Sequence, residues 1–347
     1  MYGTGQVARA SNANSGGMVV KFVRALQAAV IAAVMAVGIP ARAQDFPSKP
    51  VKIVLPFPAG VGPDIMMRLV ADKLKSYWGQ AVIVENRAGA NGWLAAEFVK
   101  KSAADGYTLL QTDNLHFGLQ PFVIKNFPFN THKDFEPVVP MYMTHFFVCV
   151  AANSKWNTLT DLIAAAKEAN AANNPLSFGS SGYASHMHLG GVMLESATGA
   201  KMKHIPYKET PQVFVSVASG DLSWAIGSPV STEALWNANK IKYLAITAPQ
   251  RLANFPDVPT VREAGGISDY ELRSWVALLA PAGVPKAVVE KINAGVARAL
   301  AEPDIVERMK KIQITPWFAS AAQVGEAMRE DEATFGAIAR KENIKVE

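Results

Sequence analysis

The sequence predicts an α/β protein whose largely parallel sheets are covered by helices on both faces and divided between two lobes. Short apolar runs alternate with longer helical patterns along most of the 347 residues, as in strands joined by crossover helices. About ten strands can be recognised, more than one sheet comfortably holds. A chain of this length, half of it hydrophobic, is long enough for two domains.

The elements of the first half follow from apolar runs and turn signals. Residues 51–55 form a continuous apolar run, typical of a buried strand, and an Asp-Gly turn at 105–106 precedes another strand. Thr158 and Asp161 are spaced as a capping box, which predicts a helix from residue 160. The strands predicted here are 51–55, 81–85, 107–112 and 146–151, and the helices are 64–77, 93–101 and the one from 160.

The second half repeats the same alternation and then becomes helical. Strands are predicted at 177–179, 204–207, 222–226, 243–247 and 274–280, and helices at 185–197, 211–219, 286–301, 304–311 and 321–341. Proline-rich stretches at 121–140 and 249–259 mark candidate crossings between lobes.

The first 43 residues have the features of a secretory signal peptide. They hold no Asp or Glu, a basic region with Lys21 and Arg24, an apolar stretch at 25–39, and the Ala-x-Ala pattern Ala41–Ala43. The stretch is too short to span a membrane, which needs about 20 apolar residues. Translation from Met18 would give a signal of ordinary length. We therefore expect an exported protein, free in the periplasm.

The signal also accounts for the basic character of the chain. It contains four of the 34 basic residues and none of the 29 acidic ones, so the remainder carries a net charge of +1. This balance gives no reason to expect nucleic acid or an anionic membrane as a partner. The single cysteine, Cys149, lies in an apolar run and is expected to be buried in a strand.

Three loops could bind a ligand, because ligands of open α/β sheets lie beyond the carboxyl ends of strands, at helix N-termini. The first, 56–64, carries Gly60, Gly62 and Pro63 ahead of a helix, and its backbone N–H groups suit an anion. An ordinary tight turn is the alternative. A third glycine at position 65 would indicate dinucleotide binding, but Ile65 stands there.

The second loop is 112–117 and the third is 178–188. The third places small hydroxyl residues before an apolar helix, which suits a carboxylate. It lacks the Gly-x-Ser-x-Gly spacing of a hydrolase. His186 and His188 could suggest a metal, but two residues apart on a helix they point to different faces. With no catalytic or metal motif elsewhere, we expect no enzyme activity, cofactor or metal.

At these loops the sequence closely resembles the periplasmic substrate-binding proteins of tripartite tricarboxylate transporters, the Bug or TctC-like receptors. The resemblance runs from about Phe46 to the C-terminus. The motifs that carry it, in order, are Pro56-Phe57-Pro58 with Gly60 and Asp64; Glu85-Asn86-Arg87 with Gly89, Ala90 and Gly92; Asp105–Leu110; Asp134-Phe135 with Pro137; Gly179–Gly182; Pro206-Tyr207-Lys208; Asp257–Thr260 with Glu263-Ala264-Gly265; and Trp275 with Leu279–Gly283.

The resemblance implies a type II periplasmic-binding-protein fold with a central ligand cleft. It implies that the chain crosses twice between the lobes, so we expect lobe 1 at 44–146 plus 270–347 and lobe 2 at 147–269. It also implies capture of a carboxylate by loops of opposite lobes, hinge closure, and delivery to membrane permease subunits. We expect a monomer. The predicted ligand-binding residues are Ala59, Gly60, Val61, Gly62, Thr112, Asn114, His116, Phe117, Ser180, Ser181, Gly182, Tyr183, Ala184, Ser185, Gly227 and Ser228.

Departures from the family pattern bear on the ligand. Val61-Gly62-Pro63 stands where the family usually has Gly-Ser-Thr, and Tyr183-Ala184-Ser185 stands where it has Asn-Gly-Thr. Polar side chains are thereby lost, while Phe117, Tyr183 and Trp224 could add aromatic surface or pack in the core. The hypothesis is a ligand less polar than citrate, such as a benzoate or phthalate, with di- and tricarboxylates as the other candidates. A receptor that senses a carboxylate for a signalling partner, and more remotely an α/β enzyme, remain alternatives.

Overall fold

The computed structural model describes residues 46–89, 92–268 and 270–345. The chain divides into two units, Met1–Phe46 and Pro47–Glu347, and the fold described below belongs to the second. The predicted signal peptide at 1–43 lies outside the described residues.

Eleven strands are found among the described residues. They are β1 (Val51–Leu55), β2 (Val82–Asn86), β3 (Thr108–Asp113), β4 (Phe135–His145), β5 (Phe147–Ala151), β6 (Ser177–Ser180), β7 (Lys203–Pro206), β8 (Trp224–Gly227), β9 (Ile241–Ile246), β10 (Arg273–Pro281) and β11 (Thr315–Pro316).

The helices of the described part of the chain are numbered in the same way. They are α1 (Gly62–Trp78), α2 (Trp93–Lys100), α3 (Asn114–Gly118), α4 (Gln120–Val123), α5 (Thr131–Asp134), α6 (Leu159–Ala171), α7 (His186–Thr198), α8 (Thr210–Ser219), α9 (Pro229–Asn237), α10 (Val261–Gly265), α11 (Lys286–Leu300), α12 (Pro303–Lys311) and α13 (Ala321–Lys341). The capping box predicted from Thr158 and Asp161 opens α6.

The strands form two sheets, one in each lobe. The first has the order β11-β4-β10-β3-β1-β2 and the second has the order β7-β6-β8-β5-β9. In each sheet three neighbouring strands are parallel, and β10 or β5 then runs antiparallel to its neighbours. The predicted α/β fold with two lobes is confirmed, with sheets that are mixed rather than largely parallel. The boundaries 44–146, 147–269 and 270–347 stay a prediction.

The long strand β4 was missed because it contains Pro137 and Pro140. Both prolines sit beside irregularities in the pairing with β10, where the register shifts, and bulges are where a sheet tolerates a residue without an N–H. The chain passes from the first sheet to the second directly from β4 to β5. The proposed crossing in the proline-rich stretch 121–140 is therefore wrong, since that stretch belongs to the first lobe.

Each lobe buries a core of apolar side chains, anchored by Trp275 in the first and Trp224 in the second, both at most 1% exposed. Cys149 is buried in β5, as predicted. One hydrophobic cluster joins the lobes, because Leu115 and Phe335 of the first lobe pack in it with Leu189 of the second. Among the described helices, none combines the length and apolar character that a membrane span requires.

Candidate functional site

A cavity of about 410 Å³ lies where the ends of β1 and β3 approach the end of β8. Its apolar lining comes from Phe57, Pro63, Ile65, Met66, Val230, Val276, Ile312 and Ile314, and its polar lining from Gly60, Gly62, Asp113, Tyr142, Thr144, Ser228, Ser274 and Arg308. Most of these residues belong to the first lobe, while Ser228 and Val230 come from the second. A cavity of this size is sufficient for a small molecule.

The first loop is held in shape by the carboxylate of Asp64. One carboxylate oxygen accepts the Gly60 N–H at 2.8 Å and the Arg68 Nε–H at 3.1 Å, and the other accepts the Asn86 side chain at 2.9 Å. Gly60 has a φ of 82°, a left-handed conformation that glycine adopts without strain. The Gly60 N–H is thus used inside the loop and is not available to a ligand.

Burial would raise the pKa of Asp64, but the hydrogen bonds from Arg68, Gly60 and Asn86 outweigh burial and hold this pKa below its usual value. The carboxylate is therefore ionised at neutral pH and fixes the start of α1 against β2. Asp64 and Asn86 both belong to the motifs that carry the family resemblance, and this hydrogen bond joins them.

Two helices begin at the cavity, one from each lobe. Helix α1 has Val61 as its N-cap and α9 has Ser228, and neither N-cap side chain accepts a hydrogen bond from a backbone N–H of the first turn. The first N–H groups of a helix have no acceptor within the helix, and the helix N-terminus carries about half a positive charge. Both helices also have a proline in the first turn, where its missing N–H costs nothing. The site therefore offers backbone donors from two directions.

Asp113, at the end of β3, is the acidic residue of the cavity lining. Its Oδ1 accepts hydrogen bonds from the N–H groups of Leu115 and His116 and from His116 Nδ1, the last at 2.6 Å. Burial would raise the pKa of Asp113, but the charge and hydrogen bond of His116 lower it to about 2. The ring of His116 also packs edge-on against Phe57, with centroids 5.7 Å apart. The second loop therefore presents an ionised carboxylate to the cavity.

Asn114, the next residue, links the two lobes instead of facing the cavity. It is 1% exposed, its Oδ1 accepts from His186 Nε2 at 3.0 Å, and its Nδ2 donates to Asp331 and to the Arg273 carbonyl. Burial lowers the pKa of His186 to about 4, so this contact is made by a neutral imidazole at pH 7. The structure thus brings the second loop against the start of α7.

Two serine hydroxyls of the third loop form hydrogen bonds that hold the loop in shape. Ser180 is fully buried, and its Oγ contacts Gly182 and lies 2.6 Å from His204 Nε2. Ser185 caps α7 by accepting the His188 N–H and donates its own hydroxyl to the Gly182 carbonyl. The Ser180 and Ser185 hydroxyls that the sequence suggested for a carboxylate are therefore engaged in building the loop, whereas Ser181 is exposed.

Two histidines support this third loop. The rings of His188 and His204 lie 4.2 Å apart, and His188 Nδ1 accepts the Ala184 N–H. Burial, helped by His204, lowers the pKa of His188 to about 4, and burial lowers the pKa of His204 to about 4 as well. His186 faces Asn114 while His188 faces His204, so the prediction that the two point to different faces of α7 is confirmed.

The structure brings only part of the predicted site residues to the cavity, namely Gly60, Gly62 and Ser228. Four predicted residues are exposed and lie outside the cavity lining, namely Ala59, Val61, Ser181 and Tyr183. His116 and Ala184 are half-buried and also lie outside the lining. Thr112, Asn114, Phe117, Ser180 and Gly227 are buried, and Gly182 and Ser185 bond within their loop.

Two of the three aromatic side chains proposed for ligand contact belong to the core. Phe117 is 2% exposed and packs against Phe129 and Phe135, and Trp224 is fully buried. Tyr183 is 58% exposed and lies edge-on to His188 and His204. The aromatic side chains that do line the cavity are Phe57 and Tyr142.

Sequence reasoning missed four further polar residues of the cavity lining. Tyr142 and Thr144 lie on β4, Ser274 lies on β10, and Arg308 lies on α12. The first two were missed with the strand that carries them. Arg308 gives no signal, because a single arginine on an amphipathic helix is usually a solvated surface residue.

The fold is that of a two-lobed binding protein, with a cavity lined by residues of both lobes. Residues 66–344 match the family model described as "Tripartite tricarboxylate transporter family receptor". The chain belongs to this family, whose members are solute-binding receptors and not enzymes. The resemblance found in the loop motifs is thereby confirmed.

Individual relatives agree with this assignment. The protein encoded in the tcbD–tcbE intergenic region of Pseudomonas sp. strain P51 is 33% identical over 79% of this chain and 80% of its own length. A solved structure of Rpa4515 from R. palustris with adipate is 27% identical, has a TM-score of 0.74, and is matched over 87% of this chain and 99% of its own. A TctC solute-binding protein from Polaromonas, solved without ligand, is also 27% identical, with a TM-score of 0.75 over 85% of this chain and 99% of its own.

Proposed function

We propose that this protein is an exported periplasmic receptor that captures a small organic carboxylate and delivers it to the permease subunits of a tripartite tricarboxylate-type transporter. The observation that carries the proposal is that α1 and α9, one from each lobe, both begin at the same cavity. Two converging helix N-termini form a binding site for an anion and not for a neutral or cationic group.

The energetics require both lobes. Micromolar affinity corresponds to about 8 kcal/mol, whereas one helix terminus contributes ~0.3–1 kcal/mol when exposed and up to ~2 when partly buried. A carboxylate enclosed between α1 and α9 gains several charge-assisted hydrogen bonds while water is excluded. Closure of the lobes around the ligand follows from this requirement.

The cavity lining also indicates how polar the rest of the ligand is, beyond its carboxylate. Phe57, Ile65, Met66, Val230 and Ile312 present apolar surface to the cavity, which favours a carboxylate with hydrocarbon or aromatic character over citrate. The relative Rpa4515 was solved with adipate, whose two carboxylates are separated by methylene groups. This supports the hypothesis of a less polar ligand, with Phe57 in place of the aromatic residues suggested by the sequence.

A titration of matched acids and amides tests the proposal. Purified protein without residues 1–43 is titrated calorimetrically with adipate, succinate, citrate, benzoate and phthalate, and with adipamide and benzamide as neutral analogues. We expect at least one carboxylate to bind with micromolar or tighter affinity and its amide to bind at least tenfold more weakly, since the helix termini act on the charge. Equal affinity for acid and amide would contradict an anion site.

Arg308→Gln is expected to weaken binding of a dicarboxylate about tenfold and of a monocarboxylate by less than threefold. Arg308 adds a full positive charge to the cavity lining and forms no ion pair with any described residue within 4.0 Å, so a second carboxylate can accept its hydrogen bonds. Lys310→Gln is the matched control, because Lys310 is exposed on the same helix and lies outside the lining. Equal losses for both ligand types would rule out a role in selecting the second charge.

A further inference from the structure

The cavity contains a feature that a simple carboxylate does not explain, which is the free oxygen of Asp113. Oδ1 receives all three of the hydrogen bonds made to this carboxylate by described residues. Oδ2 makes none with any described residue, and it is not among the fully buried unpaired atoms. The side chain is 15% exposed and lines the cavity. An ionised carboxylate oxygen therefore faces the space where the ligand must lie.

The role of Asp113 as a helix N-cap does not require this charge. As the N-cap of α3, Asp113 uses one oxygen to accept from the first turn, and asparagine or serine serves that purpose about as well. An ionised carboxylate in a cavity for carboxylates repels the ligand unless it meets a donor. Asp113 Oδ2 can therefore be satisfied by a hydrogen-bond donor on the ligand itself.

Two hydroxyl groups of the cavity lining, those of Tyr142 and Ser274, can also bond to a polar group of the ligand. Tyr142 is 6% exposed, lines the cavity, and its hydroxyl makes no hydrogen bond with a described residue. Burial, together with the charge of Asp113, raises the pKa of Tyr142, so its hydroxyl stays a donor. Ser274 adds a further hydroxyl to this wall. A ligand group here can donate to Asp113 while accepting from Tyr142.

We propose that Asp113 is a specificity-determining residue, which selects a carboxylate that also carries a hydrogen-bond donor, either a hydroxyl or an ammonium group. The ligand carboxylate lies at the starts of α1 and α9, and the donor group lies against Asp113 Oδ2. This inference rests on the proposed function and specifies which carboxylates the site prefers.

Matched trios of acids test the selection. The probes are succinate, malate and aspartate; adipate, 2-hydroxyadipate and 2-aminoadipate; and 3-phenylpropionate, 3-phenyllactate and phenylalanine. In each trio the carbon skeleton is constant and only hydrogen, hydroxyl or ammonium changes. We expect the wild-type protein to bind the hydroxy or amino member of at least one trio ten times more tightly than the unsubstituted acid, measured by calorimetry.

Two variants separate the donor types. Asp113→Asn keeps an acceptor but removes the charge, while Asp113→Ser keeps a helix cap but shortens the reach. For an ammonium ligand both variants lose the preference at least tenfold. For a hydroxyl ligand Asp113→Asn keeps it within about threefold, as both groups remain neutral hydrogen-bond partners, and Asp113→Ser loses it. Unchanged circular dichroism confirms that the variants fold.

The ratio within a trio is the deciding measurement, because a purely structural role of Asp113 would weaken all three members equally. Equal losses in the variants, or a wild-type protein that binds the unsubstituted acid as well as its substituted partners, overturn this inference and leave the proposed function standing. No binding by any of the nine acids overturns this inference, and the proposed function falls with it only if citrate, benzoate and phthalate also fail to bind.

Discussion

Gly62→Trp is expected to lower ligand affinity at least a hundredfold, about 2.7 kcal/mol, while leaving the fold intact. Gly62 lines the cavity of about 410 Å³, and a Cβ built on it meets no atom within 4 Å. Its φ lies outside the left-handed region that only glycine tolerates well. The indole ring would therefore enter the cavity without strain and occupy the position of the ligand carboxylate.

Lys75→Trp provides the matched control, since Lys75 is exposed near the other end of the same helix. Calorimetric titration should show wild-type affinity for this variant, and thermal unfolding should give similar midpoints for both. Ser181→Trp distinguishes the first loop from the third, because Ser181 is exposed outside the cavity lining. Wild-type affinity in Gly62→Trp with loss in Ser181→Trp would place the ligand at the third loop.

The sequence predicted most of the fold because its strands and helices differ in hydrophobic period. Helix α13 was predicted with its observed bounds, since it combines an apolar stripe with a Ser320 cap. Strand β4 was missed because Pro137 and Pro140 argue against a strand unless the bulges are known. Helix α9 was missed because apolar residues such as Val230 and Trp236 are exposed on it, which weakens its amphipathic pattern.

The site was predicted less well, and the reason is competition for hydrogen bonds. A serine hydroxyl before a helix can bind a ligand or brace its own loop, and the choice depends on residues distant in the sequence. The Ser180 hydroxyl is hydrogen-bonded to His204, which lies on the neighbouring strand β7, and so braces its own loop. The first loop was identified correctly as cavity lining, but Asp64 removes the Gly60 N–H from the available donors. Only the tertiary structure shows these partners.

The second prediction with a large expected effect concerns the stability of the fold at acidic pH. We expect the free energy of unfolding to fall steeply between pH 6.5 and pH 4, because burial lowers the pKa values of His186, His188 and His204 to about 4 from an ordinary value of 6.5. Below pH 6.5 the unfolded chain binds protons at these histidines while the folded protein does not, so each proton favours unfolding. Above pH 6.5 all three are neutral in both states and contribute no pH dependence.

Urea unfolding at pH 7.0 and pH 4.5 measures this loss, and His188→Gln assigns part of it. For His188 alone, the full shift of its pKa from 6.5 to about 4 corresponds to a loss of roughly 3–4 kcal/mol in the free energy of unfolding. The variant is less stable at pH 7 because it loses the packing on His204, yet its stability should fall less between the two pH values.

His132→Gln is the control, since His132 contacts only Glu332 among the described side chains within hydrogen-bonding distance. Equal pH dependence in wild type and His188→Gln would show that His188 is protonated in the folded protein. In that case His188 Nδ1 could not accept the Ala184 N–H, and this hydrogen bond of the third loop would be absent in acid.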